Sequence, residues 1–325
     1  MIVKAIDLKK LGKNEISFYL AIEKYLLDKN ECEDYFFLWD IGPSIIIGKN
    51  QVLQNEVNKE VLKELGAKVY RRPSGGGGIY ADSGCFMYSF ITKEGEKEKI
   101  VKEKLSLIID SLKDLGLDVS FSGRNDLIFK DKKFSGTAIY YKNNKVSLHG
   151  TFLYDTNLDD LEKVLFSNKD KLETKGIKSI RSRVINLGEY LPLSREELMD
   201  YLLKRVSGNN FIELSREEIK EIYKIKEEFD SKDYILGYNP KYSIKKSHYF
   251  KFGYLEIMID VKGEKIIDFK IMGDFFFIKD IKEYSDSFIG LNFDYNSVER
   301  HINELDISKY IVDCENSDII KLIYD

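Results

Sequence analysis

The stretch that most limits what this chain can become is Arg71-Arg72-Pro73-Ser74-Gly75-Gly76-Gly77-Gly78-Ile79-Tyr80-Ala81-Asp82-Ser83-Gly84. Four successive glycines must each be frozen out of a wide φ/ψ range, an entropic cost larger than a simple turn requires. Such a run suits a backbone that comes very close to something or aims several N–H groups at one point. Val69-Tyr70 before it and Cys85-Phe86-Met87-Tyr88-Ser89-Phe90 after it read as strands, so the loop is pinned at both ends. Two readings stand at this stage. One is a flexible Gly-rich hairpin. The other is a concave nest of N–H donors for phosphate or carboxylate oxygens, with Arg71, Arg72 and Asp82 adding charge to its backbone. The pattern G-x-x-x-x-G-K-[ST] does not occur, which argues against a P-loop fold. Gly76-x-Gly78-x-x-Ala81 fits G-x-G-x-x-A, but the residues after it open a strand, whereas a dinucleotide fingerprint opens a helix. Neither G-x-S-x-G nor H-E-x-x-H is present.

A chain of 325 residues, 43% hydrophobic and 13% aromatic, can bury a sizeable core and has room for a large domain with a small one, or for two of middling size. Its 51 basic and 55 acidic residues give no global basic field, against nucleic acid as the main partner. The acidic excess is local. The segment from Lys241 to Asp325 holds 12 basic and 16 acidic residues, so the larger part is balanced and can carry a basic pocket. Cys32, Cys85 and Cys314 are far apart and odd in number, with neither metal-ligand spacing nor a disulfide framework. Only three histidines, His149, His248 and His301, argue against a zinc site. The first residues lack a signal-peptide core, and no apolar run reaches the ~18 residues of a membrane span. The composition reads as a soluble protein of a reducing cytoplasm, with no membrane partner.

In chain order, Asn14 can cap a helix running to about Asp28. Tyr35–Trp39 and Ser44–Gly48 read as a hairpin around Gly42-Pro43, and a helix spans about Asn55 to Leu65, closed by Gly66. The charge run Lys93 to Lys99 reads as the solvated start of a helix to Leu115. Leu127-Ile128-Phe129, a turn at Asp131-Lys132, Phe134–Tyr141 and Lys145–Tyr154 alternate as strands. Helices follow around Leu158–Phe166 and from the capping boxes Ser194-x-x-Glu197, to about Arg205, and Ser215-x-x-Glu218, to Phe229. Tyr238-Asn239-Pro240 reads as a boundary. Beyond it come three strands, Tyr242–Phe250, Tyr254–Val261 and Lys265–Met272, joined by turns at Gly253 and Lys262-Gly263-Glu264, then two or three short helices. The expected fold class is α+β: a domain over 1–240 with mixed, mostly antiparallel sheets and flanking helices, and a small α+β domain over 241–325.

The residues left to carry chemistry are the Gly nest, the arginine pair, Asn125-Asp126, and Lys133 just before Phe134-Ser135-Gly136. Each has a plainer reading: Lys133 as a solvated turn lysine, Asn125-Asp126 as an Asx turn, Asp82 as the cap of its own turn. Here a resemblance enters. RRPSGGGGIYADSG resembles the RR-x-SGGG-x-V-x-x-D-x-G signature of lipoate–protein ligases. GRNDLIFKDKKFSGTA is similar to that family's RND…K-φ-SG-x-A segment, LHGTFLYD to its HGT strand, and Lys178 to Leu187 to its K-S-x-x-S-R-V-x-N-L stretch. Phe252-Gly253, Val261 to Gly263 and Gly273-Asp274-Phe275-Phe276 resemble the small C-terminal domain of the full-length ligases.

The resemblance implies a biotin/lipoate ligase-like catalytic domain with an accessory lid domain. It also implies a two-step reaction. Lipoate and ATP, with Mg²⁺, give lipoyl-AMP and pyrophosphate; the lipoyl group then passes to one lysine of an acceptor. The implied acceptors are a lipoyl domain of a 2-oxoacid dehydrogenase or the glycine-cleavage H protein. On the matching positions it places Lys133 as the catalytic lysine. ATP and lipoyl-AMP are assigned to Arg72, Ser74, Gly75, Gly76, Gly77, Gly78, Ile79, Tyr80, Asn125, Asp126 and Lys133. Lipoate is assigned to Arg72, Lys133, Ala138 and His149, and Mg²⁺ to Asp126. Backbone donors with Arg72 suit the charge that gathers on phosphate oxygens, and a lysine suits a bridge between carboxylate and α-phosphate. The dithiolane tail needs an apolar slot, for which the strands around Ile79, Phe90 and Ala138 are candidates. Arg181 and Arg183 have two readings, a phosphate contact or surface ion pairing. The chain departs from the pattern in its fourth glycine, Gly78, and in Pro73 between Arg72 and Ser74. Alternatives remain. Octanoyl or lipoyl transferases of this fold use a cysteine, and Cys85 is the one near the loop; a small-hydrophobe role is its plainer reading. A biotin ligase's Gly-Arg-Gly-Arg-x-Gly loop is absent, and a non-catalytic binder of lipoyl-AMP or acceptor domains is the third class.

Overall fold

The computed structural model describes residues 3–31, 33–51, 53–123, 125–165, 183–236, 244–262 and 264–324. Cys32, Lys178 to Ser182 with Arg181, the expected boundary at Tyr238-Asn239-Pro240, and Gly263 lie outside the described residues. The chain forms two compact units. One comprises Met1–Ile46, Val57–Arg71 and Ile79–Ile235; the other comprises Ile47–Glu56, Arg72–Gly78 and Leu236–Asp325.

The first unit is built on an eight-stranded sheet. Its strands are β1 (Val3–Ile6), β2 (Asp34–Asp40), β6 (Cys85–Lys93), β7 (Ser120–Ser122), β8 (Asp126–Phe129), β9 (Lys132–Lys142), β10 (Lys145–Leu153) and β11 (Phe211–Ile212). The spatial order is β11-β1-β2-β6-β10-β9-β8-β7. Only β11-β1 and β1-β2 are parallel; the remaining pairs are antiparallel. Strands β6 and β10 lie at its centre, and nearly every residue of both is buried, which is why β6 reads as one apolar run.

Alternation sends the two faces of β6 into different cores. Phe86, Tyr88 and Phe90 join a core with helices α4 (Lys97–Asp114) and α6 (Arg195–Ser207). Cys85, Met87 and Ile91 join another with α1 (Ile16–Asp28) and α7 (Arg216–Asp230). The capping boxes form as read: Ser194 and Ser215 accept from the backbones of Glu197 and Glu218, whose side chains accept from the cap residues. Gly208 ends α6 at φ +60°. The short helices α5 (Leu158–Val164) and α8 (Lys232–Leu236) complete this unit.

A smaller sheet has the order β4-β3-β5, from Lys68–Arg71, Ser44–Ile47 and Ile79–Ala81. It corrects the expected hairpin around Gly42-Pro43. Both edges of β2 are taken by β1 and β6, so β3 pairs instead with β5 and β4. Two expected helices also differ. Glu15, not Asn14, is the N-cap of α1, because the Asn14 amide donates backwards to Leu11 O and Gly12 O. The helix expected over Asn55–Leu65 is two, α2 (Leu53–Glu56) and α3 (Lys59–Glu64), because Val57 bridges Leu165 and Asn58 caps afresh at Glu60 and Val61.

The second unit contains the antiparallel meander β12 (Ile244–Phe250), β13 (Gly253–Lys262) and β14 (Lys265–Gly273). Leu255, Ile257 and Ile259 recur at period two and pack with α9 (Ile281–Asp286), α10 (Tyr295–Leu305) and α11 (Asn316–Tyr324). Among the described residues no helix is long and apolar enough to cross a membrane.

Candidate functional site

Cross-strand pairing fixes which side chains share a face in the first unit. His149 is paired with Ser89 and with Ala138, and Gly136 with Asp126, so these positions line one face. Lys133 is three residues from Gly136, and simple alternation would turn it to the other face. The register shows what prevents this. Leu127 is opposite Ser135, yet Ile128 is opposite Lys133, so Phe134 is an extra residue: a β-bulge. Phe134 itself is fully buried in the α4/α6 core, edge-on to Phe152. Lys133 is thereby returned to the face of Asp126 and Gly136.

Its ammonium stands 2.7 Å from Asp126 Oδ1. A Cβ at position 136 would lie 2.5 Å from Lys133 Nζ, so glycine there makes room for the lysine. The Lys133 carbonyl accepts from Ile185 N–H at 2.9 Å, which sets the Val184–Leu187 part of the sequence motif beside it. Arg183 is exposed. Asn125 is tied to its neighbouring strand, its amide donating to Thr137 O and its carbonyl accepting from Thr137 N–H.

His149 belongs to a buried polar chain on the same sheet face. Its Nδ1 is 3.0 Å from both carboxylate oxygens of Glu23 on α1. Ser89 Oγ donates to Glu23 Oε1 and accepts from Trp39 Nε1 at 2.8 Å. The Trp39 ring meets His149 edge-on at 5.9 Å between centroids and stacks on Tyr19. Ala138 and the part-buried Ile79 lie on this side of the sheet; Phe90 does not. Phe90 pairs across β10 at Leu148 and faces the opposite core, so it is removed from the candidate acyl slot. Tyr80 is buried in β5, opposite Ile45, and burial pushes its phenol up to about 12.

Sequence reasoning passed over Glu23, Ser89 and Trp39. A signal for Glu23 was present. It is seven residues from Ile16 and four from Tyr19 and Leu27, on the buried stripe of α1, where an unpartnered carboxylate would be costly.

The Gly loop belongs to the second unit. Arg72 is buried there and its guanidinium turns back on its own loop: Nη2 donates to Gly75 O and to Gly77 O, both at 2.7 Å. Ser74 is buried, and its carbonyl accepts from Lys49 N–H. Gly76, at φ +90°, donates its N–H to Phe275 O at 3.1 Å, and a Cβ on Gly75 would lie 2.5 Å from that same oxygen. Gly77 is exposed, with no atom within 4 Å of where a Cβ would stand. Gly78 is part-buried and leads directly into β5.

Arg71 is used differently, in the first unit. Its Nε donates to Tyr234 O and Ile235 O at the end of α8, and burial lowers its guanidinium to about 10. Asp82 holds its turn, accepting from Gly84 and Asn157 N–H. Cys85 is fully buried, and burial pushes its thiol up to about 12. A nucleophilic cysteine needs the opposite shift and a path to solvent, so Cys85 fits the small-hydrophobe role and not that of a transferase nucleophile.

The family described as "Lipoyl protein ligase A/B catalytic domain" matches residues 15–207, and that described as "Bacterial lipoate protein ligase C-terminus" matches residues 239–323. Lipoate-protein ligase LplJ of Bacillus subtilis is 34% identical over 322 residues, which cover 96% of this chain and 97% of that protein. Among solved structures, P. falciparum LipL1 in complex with lipoate has a TM-score of 0.79 at 22% identity, covering 99% of this chain and 97% of that one. A lipoate-protein ligase A bound with ATP has a TM-score of 0.61 at 20% identity, covering 73% of this chain and 99% of that one. At these identities the two structures speak for the fold.

Proposed function

The chain belongs to the lipoate–protein ligase family, and on that premise we propose that it activates lipoate with ATP and transfers the lipoyl group to a lysine of an acceptor protein. In the first step a lipoate carboxylate oxygen attacks the α-phosphorus of ATP. The bond from that phosphorus to the bridging oxygen breaks, and pyrophosphate leaves with the electron pair. In the second step the neutral amine of an acceptor lysine attacks the acyl carbon, AMP departs, and the amine gives up its proton as the amide forms.

Lys133 is the proposed catalytic residue. Its ammonium can leave Asp126 for the developing charge between carboxylate and α-phosphate, a compact cation on a flexible stem. Arg72, Ser74 and the amides of Gly75 to Gly78, with Ile79 and Tyr80, are the proposed nucleotide contacts. Gly77 can serve as it stands, whereas the Gly76 N–H serves only when its bond to Phe275 opens. Asn125 would act by bracing Thr137. Ala138 and His149 line the proposed lipoate slot, and the Glu23–Ser89–Trp39 chain holds the imidazole in place.

For Mg²⁺, the described residues contain no group of three or more ligating side chains, and Asp126 is engaged by Lys133. One carboxylate and substrate phosphates fit how this ion is usually held, so Asp126 would supply a single ligand to an ion that enters with the nucleotide. Bound there, it would neutralise phosphate charge. Residues 1–240 are the proposed catalytic region and 241–325 an accessory domain. The proposed acceptors are lipoyl domains of 2-oxoacid dehydrogenases or the glycine-cleavage H protein, in the cytoplasm.

The observation that carries this reading is the bulge at Phe134, which aims Lys133 at the face holding Gly136, Ala138 and His149. The test is incubation with lipoate, Mg-ATP and a lipoyl domain, read by intact-protein mass spectrometry. The expected result is one lipoyl group added, only with ATP and only while the acceptor lysine is present. No ATP-dependent mass gain on either acceptor would end the reading.

A further inference from the structure

A side chain from two strands away reaches the residues that follow the bulge at Phe134. Tyr88 on β6 is opposite Gly150 on β10, which is opposite Thr137 on β9. Because Gly150 has no side chain, the Tyr88 phenol crosses over β10 and reaches two strands away. Its hydroxyl stands 2.9 Å from Ser135 Oγ and 3.1 Å from Thr137 Oγ1. Tyr88, Ser135 and Thr137 are buried, and burial pushes the phenol up to about 12, so it stays neutral. Ser135 is the residue directly after the extra one and Thr137 is two further on. The phenol therefore clamps the strand at the point where its alternation is interrupted. Without the bulge, Lys133 would share the face of Ser135 and Thr137 and point into the core with Tyr88.

We infer that Tyr88 is a positioning residue for Lys133: through Ser135 and Thr137 it fixes the bulge that turns the ammonium toward the reacting groups. This rests on the ligase reading for its consequence in catalysis, but not for its effect on Lys133 itself. The phenol touches no substrate. Its contribution is geometric, and small displacements of a charge-bearing group are expensive in rate.

The experiment is Tyr88→Phe, which keeps the ring and removes the two hydrogen bonds, measured in two ways on the full-length protein. The first is the single-turnover rate of lipoyl-AMP formation beside the affinity for lipoate. The rate is expected to fall about tenfold or more with affinity little changed, a split that general destabilisation would not give. The second is acetylation of Lys133 by an N-hydroxysuccinimide ester, followed by peptide mass spectrometry, with exposed Lys204 and Lys220 as internal standards. The Lys133 rate relative to the standards is expected to fall about threefold or more as the ammonium turns toward the core, near the lower end of what loss of one neutral hydrogen bond gives. An unchanged or raised Lys133 ratio overturns the inference. So does an adenylation rate within about twofold of wild type in a protein that makes lipoyl-AMP. If the wild type makes none, the ligase reading fails and the labelling ratio still decides the role of Tyr88. Should Tyr88→Phe not fold, Ser135→Ala and Thr137→Val remove the same bonds from the other end and are read identically.

Discussion

A Cβ placed on Gly150 would lie 2.4 Å from the hydroxyl oxygen of Tyr88 and 2.4 Å from its Cζ. The absence of a side chain at one residue is thus what lets the other span a strand. Gly150→Ala should expel the Tyr88 ring from its place, with an overpacking cost of about 1–3 kcal/mol in denaturant unfolding. Because the ring carbon Cζ is as close as the hydroxyl, Tyr88→Phe should not relieve the clash. Tyr88→Val should, so the double variant with Gly150→Ala should be less destabilised than the two single effects summed. Strict additivity in that cycle would mean that the two residues do not share the space assigned to them.

Lys133 is partly exposed and pairs with an Asp126 that is itself 34% exposed, so the pair contributes little to stability. Lys133→Ala should leave the unfolding free energy within about 0.5 kcal/mol of wild type. Pyrophosphate release from lipoate and ATP should nevertheless fall by about 100-fold or more, the scale of losing one preorganised charge at a transition state. A Lys133→Ala protein that is fully active would leave the site without its central residue.

How much of this was legible beforehand follows from the range of each signal. The two capping boxes and the meander after Ile244 are local patterns, and they are where the chain suggested. The hairpin at Gly42-Pro43 failed because strand partners are chosen over long sequence distances, and β2 had better ones in β1 and β6. The face on which Lys133 lies was not readable either. KFSGTA alternates as any strand does, and the extra residue exists only relative to Asp126–Phe129 opposite. For the same reason Tyr88 and Gly150 looked like ordinary strand residues, 62 positions apart in sequence and adjacent only through pairing. Arg71 and Arg72 read as one charged pair, yet Arg71 is the last residue of β4 and Arg72 the first of the Gly loop, and they serve α8 and that loop respectively.

The cysteine alternative has a direct chemical test. Cys85 is buried with its thiol pushed up to about 12 by desolvation, so its thiolate is scarce at neutral pH. Native protein should resist iodoacetamide at Cys85 and become reactive only on unfolding. Cys85→Ser should keep ATP-dependent acyl transfer to an acceptor. Loss of transfer in a folded Cys85→Ser protein, with Lys133→Ala still transferring, would instead point to a covalent acyl-cysteine route.

Glu15 gives a prediction for acid stability. At the start of α1 its carboxylate accepts from Lys226 on α7 and from Lys68 on β4, and those hydrogen bonds lower it to about 2. The folded value is depressed below the ordinary glutamate value near 4.5. The unfolded chain therefore binds the proton first as pH falls. The stabilisation is present in full above about 4.5 and is lost progressively as pH drops toward about 2. Glu15 is 41% exposed, so solvent screening holds the contribution at neutral pH to about 1 kcal/mol or less. Glu15→Gln should consequently lower stability slightly at pH 7 and flatten the decline between pH 4.5 and pH 2. Urea unfolding midpoints across that window, for wild type and variant, measure both effects. Parallel curves would show that the lysines do not hold this carboxylate in its charged form.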